Sequence, residues 1–210
     1  MAWINNNTFA TANEGDYENE DGEEGGSRGF TNFNTHGKVV YESAESFELW
    51  LASMGHYNEG RSENNGCEPE AVEVGVYNKN QTLLFVGSER CNAVGVYDVS
   101  KSDKPKPLQV LPTGIGPEGL KAIPQRNLFV ASTEEMDLAE DGIPTMINIY
   151  QLKKGTSAYP MIASLADDNG VPLPWVALSG LAADPENPNT LYAVSDSFLA
   201  EGFIIPSHYR

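Results

Sequence analysis

Basic residues are scarce in this chain. Among its 210 residues there are 13 Lys and Arg against 30 Asp and Glu, which gives a formal net charge of -17. A surface this acidic repels the phosphates of nucleic acids and of anionic membranes. The composition therefore predicts no nucleic-acid partner, and it suits divalent cations, a salty or extracellular setting, or simply solubility.

Long apolar runs are also missing. No stretch reaches the roughly 20 apolar residues that a membrane-spanning helix needs, so we expect no membrane insertion. The first residues carry neither the basic start nor the apolar run of a signal peptide. The apolar run at 203–205 stops without a closing turn. We therefore expect a fragment of a longer protein, in which case the missing signal says nothing about export.

The chain has only two cysteines, Cys67 and Cys91. If the intervening segment folds as a hairpin with Tyr77 opposite Thr82, both cysteines lie just beyond the same end of that hairpin. This placement permits a disulfide, provided that the side-chain directions also agree. The alternative is two free thiols in a cytosolic protein, whereas a bridge would favour an oxidising compartment.

Short apolar runs separated by Asn and Gly dominate residues 67–99. Such runs, rich in Val, Tyr and Phe, are typical of strands joined by tight turns, and three strands are predicted here. The same plan recurs over residues 119–150. The sequence thus contains a repeated antiparallel unit, with one helix predicted near 44–54 from apolar residues at helical spacing.

Four strand segments share one ending, in which an apolar run leads into small residues and an acid. The interval from Glu89 to Glu134 fits a propeller blade, which recurs at roughly 40 to 50 residues; the longer intervals need insertions such as the acidic, glycine-rich stretch 15–29. We therefore predict an all-β fold, a partial β-propeller of repeated three- to four-stranded antiparallel blades. The four segments are Phe9–Glu14, Leu84–Glu89, Phe129–Glu134 and Leu191–Asp196.

Carboxylates occupy equivalent places in these units. One lies before the first strand of a unit and another follows the second strand, and these two positions share one end of an antiparallel hairpin. We therefore expect the acids to gather on one face near the propeller axis, where oxygen ligands suit calcium. The alternative is surface charge, or partners for Arg90 and Lys121. The candidate metal ligands are Glu70, Glu89, Glu118, Glu134 and Asp196.

The sequence offers no catalytic constellation. Its three histidines are scattered, and Ser179-Gly180 lacks the flanking G-x-S context of a nucleophile elbow. The glycines at 114–119 lack the Lys-Ser/Thr pair of a phosphate-binding loop. No organic cofactor is expected, and whether the chain is an enzyme stays open.

Residues 68–132, with EPEAVEVG, FVGSERCNAVGVYDVS and GPEGLKAIP followed by LFVAS, resemble the choice-of-anchor I domain. The likeness extends back to ANEGD at 12–16 and covers about the first 150 residues. It implies a secreted bacterial β-propeller module, extracellular or periplasmic, that is often fused to phosphatase or nucleotidase domains.

The segment SGLAADPENPNTLYAVSDS, at 179–197, is similar to the opening hairpin of an esterase-like phytase domain. The two resemblances divide the chain into a propeller part (1–152), a linker (153–178) and the start of a second propeller (179–210). They imply a module that binds a small anionic ligand through metal, or a protein or cell-surface partner. Alternatively, they imply that the chain is part of a calcium-dependent phosphoesterase.

Overall fold

A computed structural model describes residues 1–22, 24–77, 81–134, 144–155 and 161–195. Two of the sequence predictions, the acid Asp196 and the apolar run at 203–205, lie outside these ranges. Antiparallel strands dominate the described residues, which confirms the predicted all-β class. No helix among them is long and apolar enough to cross a membrane.

The first sheet has four antiparallel strands in the order β1-β2-β5-β6. A small hairpin of two short strands, β3 and β4, lies between β2 and β5, within the acidic stretch 15–29 that the sequence indicated as an insertion. The bounds are β1 (Ala2–Asn5), β2 (Thr8–Glu14), β3 (Tyr17–Glu18), β4 (Glu24–Gly25), β5 (Arg28–Asn34) and β6 (Val39–Glu42).

The second sheet is a meander of four antiparallel strands. It contains the three predicted strands and a fourth that follows them along the chain. Tyr77 pairs with Gln81 rather than with Thr82. The pairing register is therefore shifted by one residue from the prediction. The bounds are β7 (Pro69–Tyr77), β8 (Gln81–Ser88), β9 (Ala93–Asp98) and β10 (Lys106–Pro112).

The third sheet has three antiparallel strands, and a two-stranded hairpin follows it along the chain. The predicted helix near 44–54 is confirmed as α1 (Ser46–Ser53), which connects the first sheet to the second. The remaining strands are β11 (Pro117–Ile123), β12 (Leu128–Thr133), β13 (Ile147–Gln151), β14 (Leu178–Ala183) and β15 (Leu191–Ser195).

The first part of the core lies between the first sheet, α1 and the second sheet. Phe47 and Leu51, one turn apart on α1, are fully buried there because residues four apart share a helix face. Phe30 from β5 packs on Tyr97 from β9, with 4.8 Å between their ring centroids. The helix thus closes the gap between two sheets.

The second part of the core lies between the second and third sheets. Phe85 of β8 and Phe129 of β12 stack nearly parallel, with 3.9 Å between ring centroids and 4° between ring planes. The Tyr77 hydroxyl donates to the Leu128 carbonyl at 2.8 Å. This hydrogen bond joins the last residue of the first strand in the second sheet to the third sheet, and so links the same two sheets.

Residues 161–175, predicted to be part of a linker, lie against the end of α1. The Ser53 carbonyl accepts hydrogen bonds from the Ser164 amide at 2.8 Å and from Trp175 Nε1 at 3.0 Å. Side chains from this stretch also line a cleft with Met54 and His56. The stretch is therefore anchored to the first part of the chain.

Replacing Phe129 with alanine is expected to destabilise the protein by about 3–5 kcal/mol, because it empties a buried aromatic position between two sheets. Urea denaturation of wild type and variant measures the difference. The matched control is Tyr17→Ala, since Tyr17 is an exposed aromatic residue. Equal losses in the two variants would contradict the assigned interface.

Candidate metal-binding site

A backbone corner precedes both β7 and β11. Each strand opens with a Pro-Glu pair, and each has a register shift at that point, between Pro69 and Ala71 and between Pro117 and Gly119. Such a bulge removes one residue from the pairing ladder and re-aims its side chain. The residues that it releases are Glu70 and Glu118.

The residue before each Pro-Glu pair has a left-handed backbone. Gly116 has φ 68°, and Glu68 has φ 45°, a conformation that costs a side-chain-bearing residue about 1 kcal/mol or more. The carbonyls of these two residues accept equivalent bonds, from the Glu89 amide at 3.0 Å and from the Glu134 amide at 2.9 Å. Each corner thus links the start of one strand to the acid that follows the neighbouring strand, Glu89 after β8 and Glu134 after β12.

The corners bring three of the predicted ligands together. Carboxylate oxygens of Glu70, Glu89 and Glu118 all lie within 4.8 Å of one another; we call these residues the carboxylate triad. Glu89 is only 2% exposed. Glu134 lies outside the triad, and Asp196 falls among the residues that are not described. The triad draws Glu118 from the third sheet and the other two acids from the second.

Two arginines lie beside the triad and bind its neighbour Glu68. Arg90 contacts Glu68 through Nε at 2.8 Å and Glu89 through Nη1 at 2.7 Å, and Arg61 also pairs with Glu68. When all groups are ionised, four carboxylates face two guanidinium groups, an excess of two negative charges. The sequence pointed to Arg90 as a partner, but Glu68 and Arg61 were missed.

Burial and mutual repulsion shift the protonation of the triad. Burial, followed by hydrogen bonds with Glu118 and Glu89, raises the pKa of Glu70 to about 8. Burial also raises the pKa of Glu89, against the opposing hydrogen bond with Glu70 and the charge of Arg90. For Glu68, burial is outweighed by hydrogen bonds from Arg61 and Arg90, so its pKa is lowered. At neutral pH the triad therefore holds a proton on Glu70.

Lys121, the other cation that the sequence offered as a partner, binds elsewhere. Its Nζ lies 2.7 Å from Glu73 Oε1, and the same oxygen accepts from the Ala122 amide at 3.0 Å. Glu73 thus links the second and third sheets and leaves the triad without a lysine from this strand.

A disulfide joins Cys67 to Cys91, with 5.2 Å between their Cα atoms. It connects the residue before Glu68 to the residue after Arg90, so it closes a ring around the acids of the second sheet. The Cys67 amide also donates to Glu48 of α1 at 2.9 Å, and the Cys67 carbonyl accepts from the Ser88 hydroxyl at 2.6 Å. The site is therefore tied to the helix as well as to the sheet.

The family model of the choice-of-anchor I domain matches residues 24–102. This range includes Glu68, Glu70, Glu89 and both cysteines, and it is narrower than the range 1–152 expected from the sequence. Choice-of-anchor domains are typical of secreted or cell-surface proteins. No curated protein and no solved structure matches the chain.

The raised pKa of Glu70 predicts a pH-dependent stability in metal-free buffer. The folded protein keeps the Glu70 proton up to about pH 8, whereas an ordinary glutamate loses it near 4.5. The stabilisation from this group is thus complete below pH 4.5. It declines as the pH rises from 4.5 to 8 and is lost above pH 8. Glu70→Gln, a neutral isostere, should become progressively more stable than wild type over this window.

Chemical denaturation in EGTA at a series of pH values measures that difference. Glu186→Gln is the matched control, because Glu186 is an exposed glutamate remote in sequence from the triad. Parallel pH profiles for wild type and Glu70→Gln would contradict the shared-proton interpretation.

Proposed function

We propose that the chain is part of a secreted, surface-associated β-propeller module, extracellular or periplasmic, that binds calcium at the carboxylate triad. The observation that carries the proposal is the convergence of three carboxylates from two successive sheets within 4.8 Å. Calcium takes oxygens at 2.3–2.6 Å, so two oxygens on one ion lie up to about 5 Å apart. The spacing within the triad meets this limit.

The order of the sheets supports the propeller. The second and third sheets are antiparallel meanders in chain order, and β7 packs against β2 on one side and β11 on the other. The strand that opens the second sheet thus lies beside the strand that opens the third, as opening strands do around a propeller axis. Further units are needed to close a ring, which is consistent with a longer parent protein.

Charge balance supports a divalent cation. Four carboxylates and two guanidinium groups leave two uncompensated negative charges, and the metal-free site reduces this excess by holding a proton on Glu70. A calcium ion would displace that proton and neutralise both excess charges. Glu70, Glu89 and Glu118 would hold the ion, and water or backbone carbonyls would complete its six to eight ligands.

The disulfide between Cys67 and Cys91 supports the proposed compartment. Disulfides persist in oxidising environments such as the periplasm and the cell exterior, and the matched family is typical of such places. The bound ion could present its open ligand positions to a small anion, or hold the surface in shape for a protein or cell-surface partner.

Hydrolysis of phosphoesters stays a weaker prediction. It depends on the likeness of 179–197 to a phytase-like hairpin, and the family match does not reach those residues. Arg61 and Arg90 bind carboxylates and so do not present free charges to a phosphate. Binding therefore accounts for the described residues better than catalysis does.

Calcium should raise the melting temperature of wild type by several degrees, because an ion that binds only the folded state stabilises it by mass action. Glu70→Gln should lose this rise, even though it stabilises the metal-free protein at pH 8. Scanning calorimetry with calcium and with EGTA gives both values, and Glu186→Gln should respond like wild type.

Phytate and phosphomonoester turnover, assayed in the same samples, separates a binding module from an enzyme. A melting temperature that is insensitive to calcium in wild type would overturn the calcium site. Calcium-dependent turnover that Glu70→Gln abolishes would replace the binding function with catalysis.

A further inference from the structure

The hairpin β14–β15 begins with the same corner as β7 and β11. Ala177 has φ 48°, and a register shift lies between Leu178 and Gly180. The Ser195 hydroxyl donates to the Val176 carbonyl at 2.6 Å, just as the Ser88 hydroxyl does to Cys67. The hairpin therefore repeats the corner before β7 in all three respects and the corner before β11 in the first two.

The interface between the second and third sheets shows how such a hairpin docks. Phe129 of β12 stacks on Phe85 of β8, and Leu120 of β11 packs beside Gly87. Val94 of β9 lies on the same face, paired across the ladder with Gly87, and it is fully buried. One hairpin thus covers the face of the sheet before it.

The third sheet carries the same face, and there it is uncovered. By ladder position, Val130 and Ser132 correspond to Phe85 and Gly87, and Ile147 and Ile149 correspond to Val94 and Val96. Ile147 is 70% exposed and Ile149 is 65% exposed. Apolar residues that are buried in one unit are therefore solvated in the next.

The hairpin offers the complementary surface. Leu181 pairs with Ala193, as Leu120 pairs with Ala131, and Leu191 pairs with Ala183, as Phe129 pairs with Ala122. Leu181 is 64% exposed, although its counterpart in β11 is half-buried. The side chains that would dock and the face that would receive them are both exposed in the structure.

We propose that β14–β15 docks on the outer face of β11–β13, with Leu181 and Leu191 against Val130, Ile147 and Ile149. The hairpin would then be the next unit of the same array and not the start of a separate domain at 179. This inference rests on the proposed propeller arrangement but not on calcium, so its test is done in EGTA.

Methyl NMR of the full chain, labelled at Ile, Leu and Val, tests the docking in wild type. We expect nuclear Overhauser effects that link Leu181 or Leu191 to Val130 or Ile149. No such effects would overturn the proposal. Effects that arise only between differently labelled copies in a mixed sample would also overturn it, because a second copy would then cover the face.

A pair of variants gives a second readout. Leu181→Lys should lower the melting temperature by several degrees, because it places a charge in the docked interface. Val194→Lys is the matched control, since Val194 is 65% exposed and pairs with Gly180 on the opposite face of the hairpin. Equal melting temperatures for the two variants would contradict the docked arrangement.

Discussion

The left-handed corners before β7 and β11 are the constraint on which the site depends. At this corner the chain turns into a bulged strand, and the bulge takes Glu70 or Glu118 out of the ladder. Two such corners lie side by side because β7 packs against β11. The carboxylates therefore converge because the sheets pack together. The corner that positions Glu70 requires a left-handed backbone at Glu68, which costs strain.

The part of this arrangement that the sequence predicted follows from local residue patterns. Alternating apolar runs indicated β7, β8 and β9, and apolar residues at helical spacing indicated α1. The acids before the first strand and after the second strand of each unit indicated that acids of successive units lie together, and three of them do. Residues 28–34 were missed as a strand because Gly, Asn and Thr are common there, although Phe30 is fully buried against Tyr97.

Long-range contacts explain what the sequence could not show. Arg61 ends a short 3-10 helix (Glu59–Arg61) in a polar stretch of the sequence. Nothing in the neighbouring sequence indicates that it would bind Glu68. The cost of burying Glu68 and Glu89 is offset by guanidinium groups at short range, so the acids are not simply surface charge. Glu134 has the same sequence context as Glu89 yet lies outside the triad, because triad formation also requires an acid from the following unit at the next corner.

The triad takes its ligands from two sheets, and this has a mechanical consequence. An ion held by Glu70, Glu89 and Glu118 would cross-link the second and third sheets, at the end opposite the hydrogen bond of Tyr77. A pulling force that separates the sheets would have to break ion–oxygen contacts as well as the stacked pair of Phe85 and Phe129. A surface module loaded with calcium would thus resist shear in a way that its metal-free form does not.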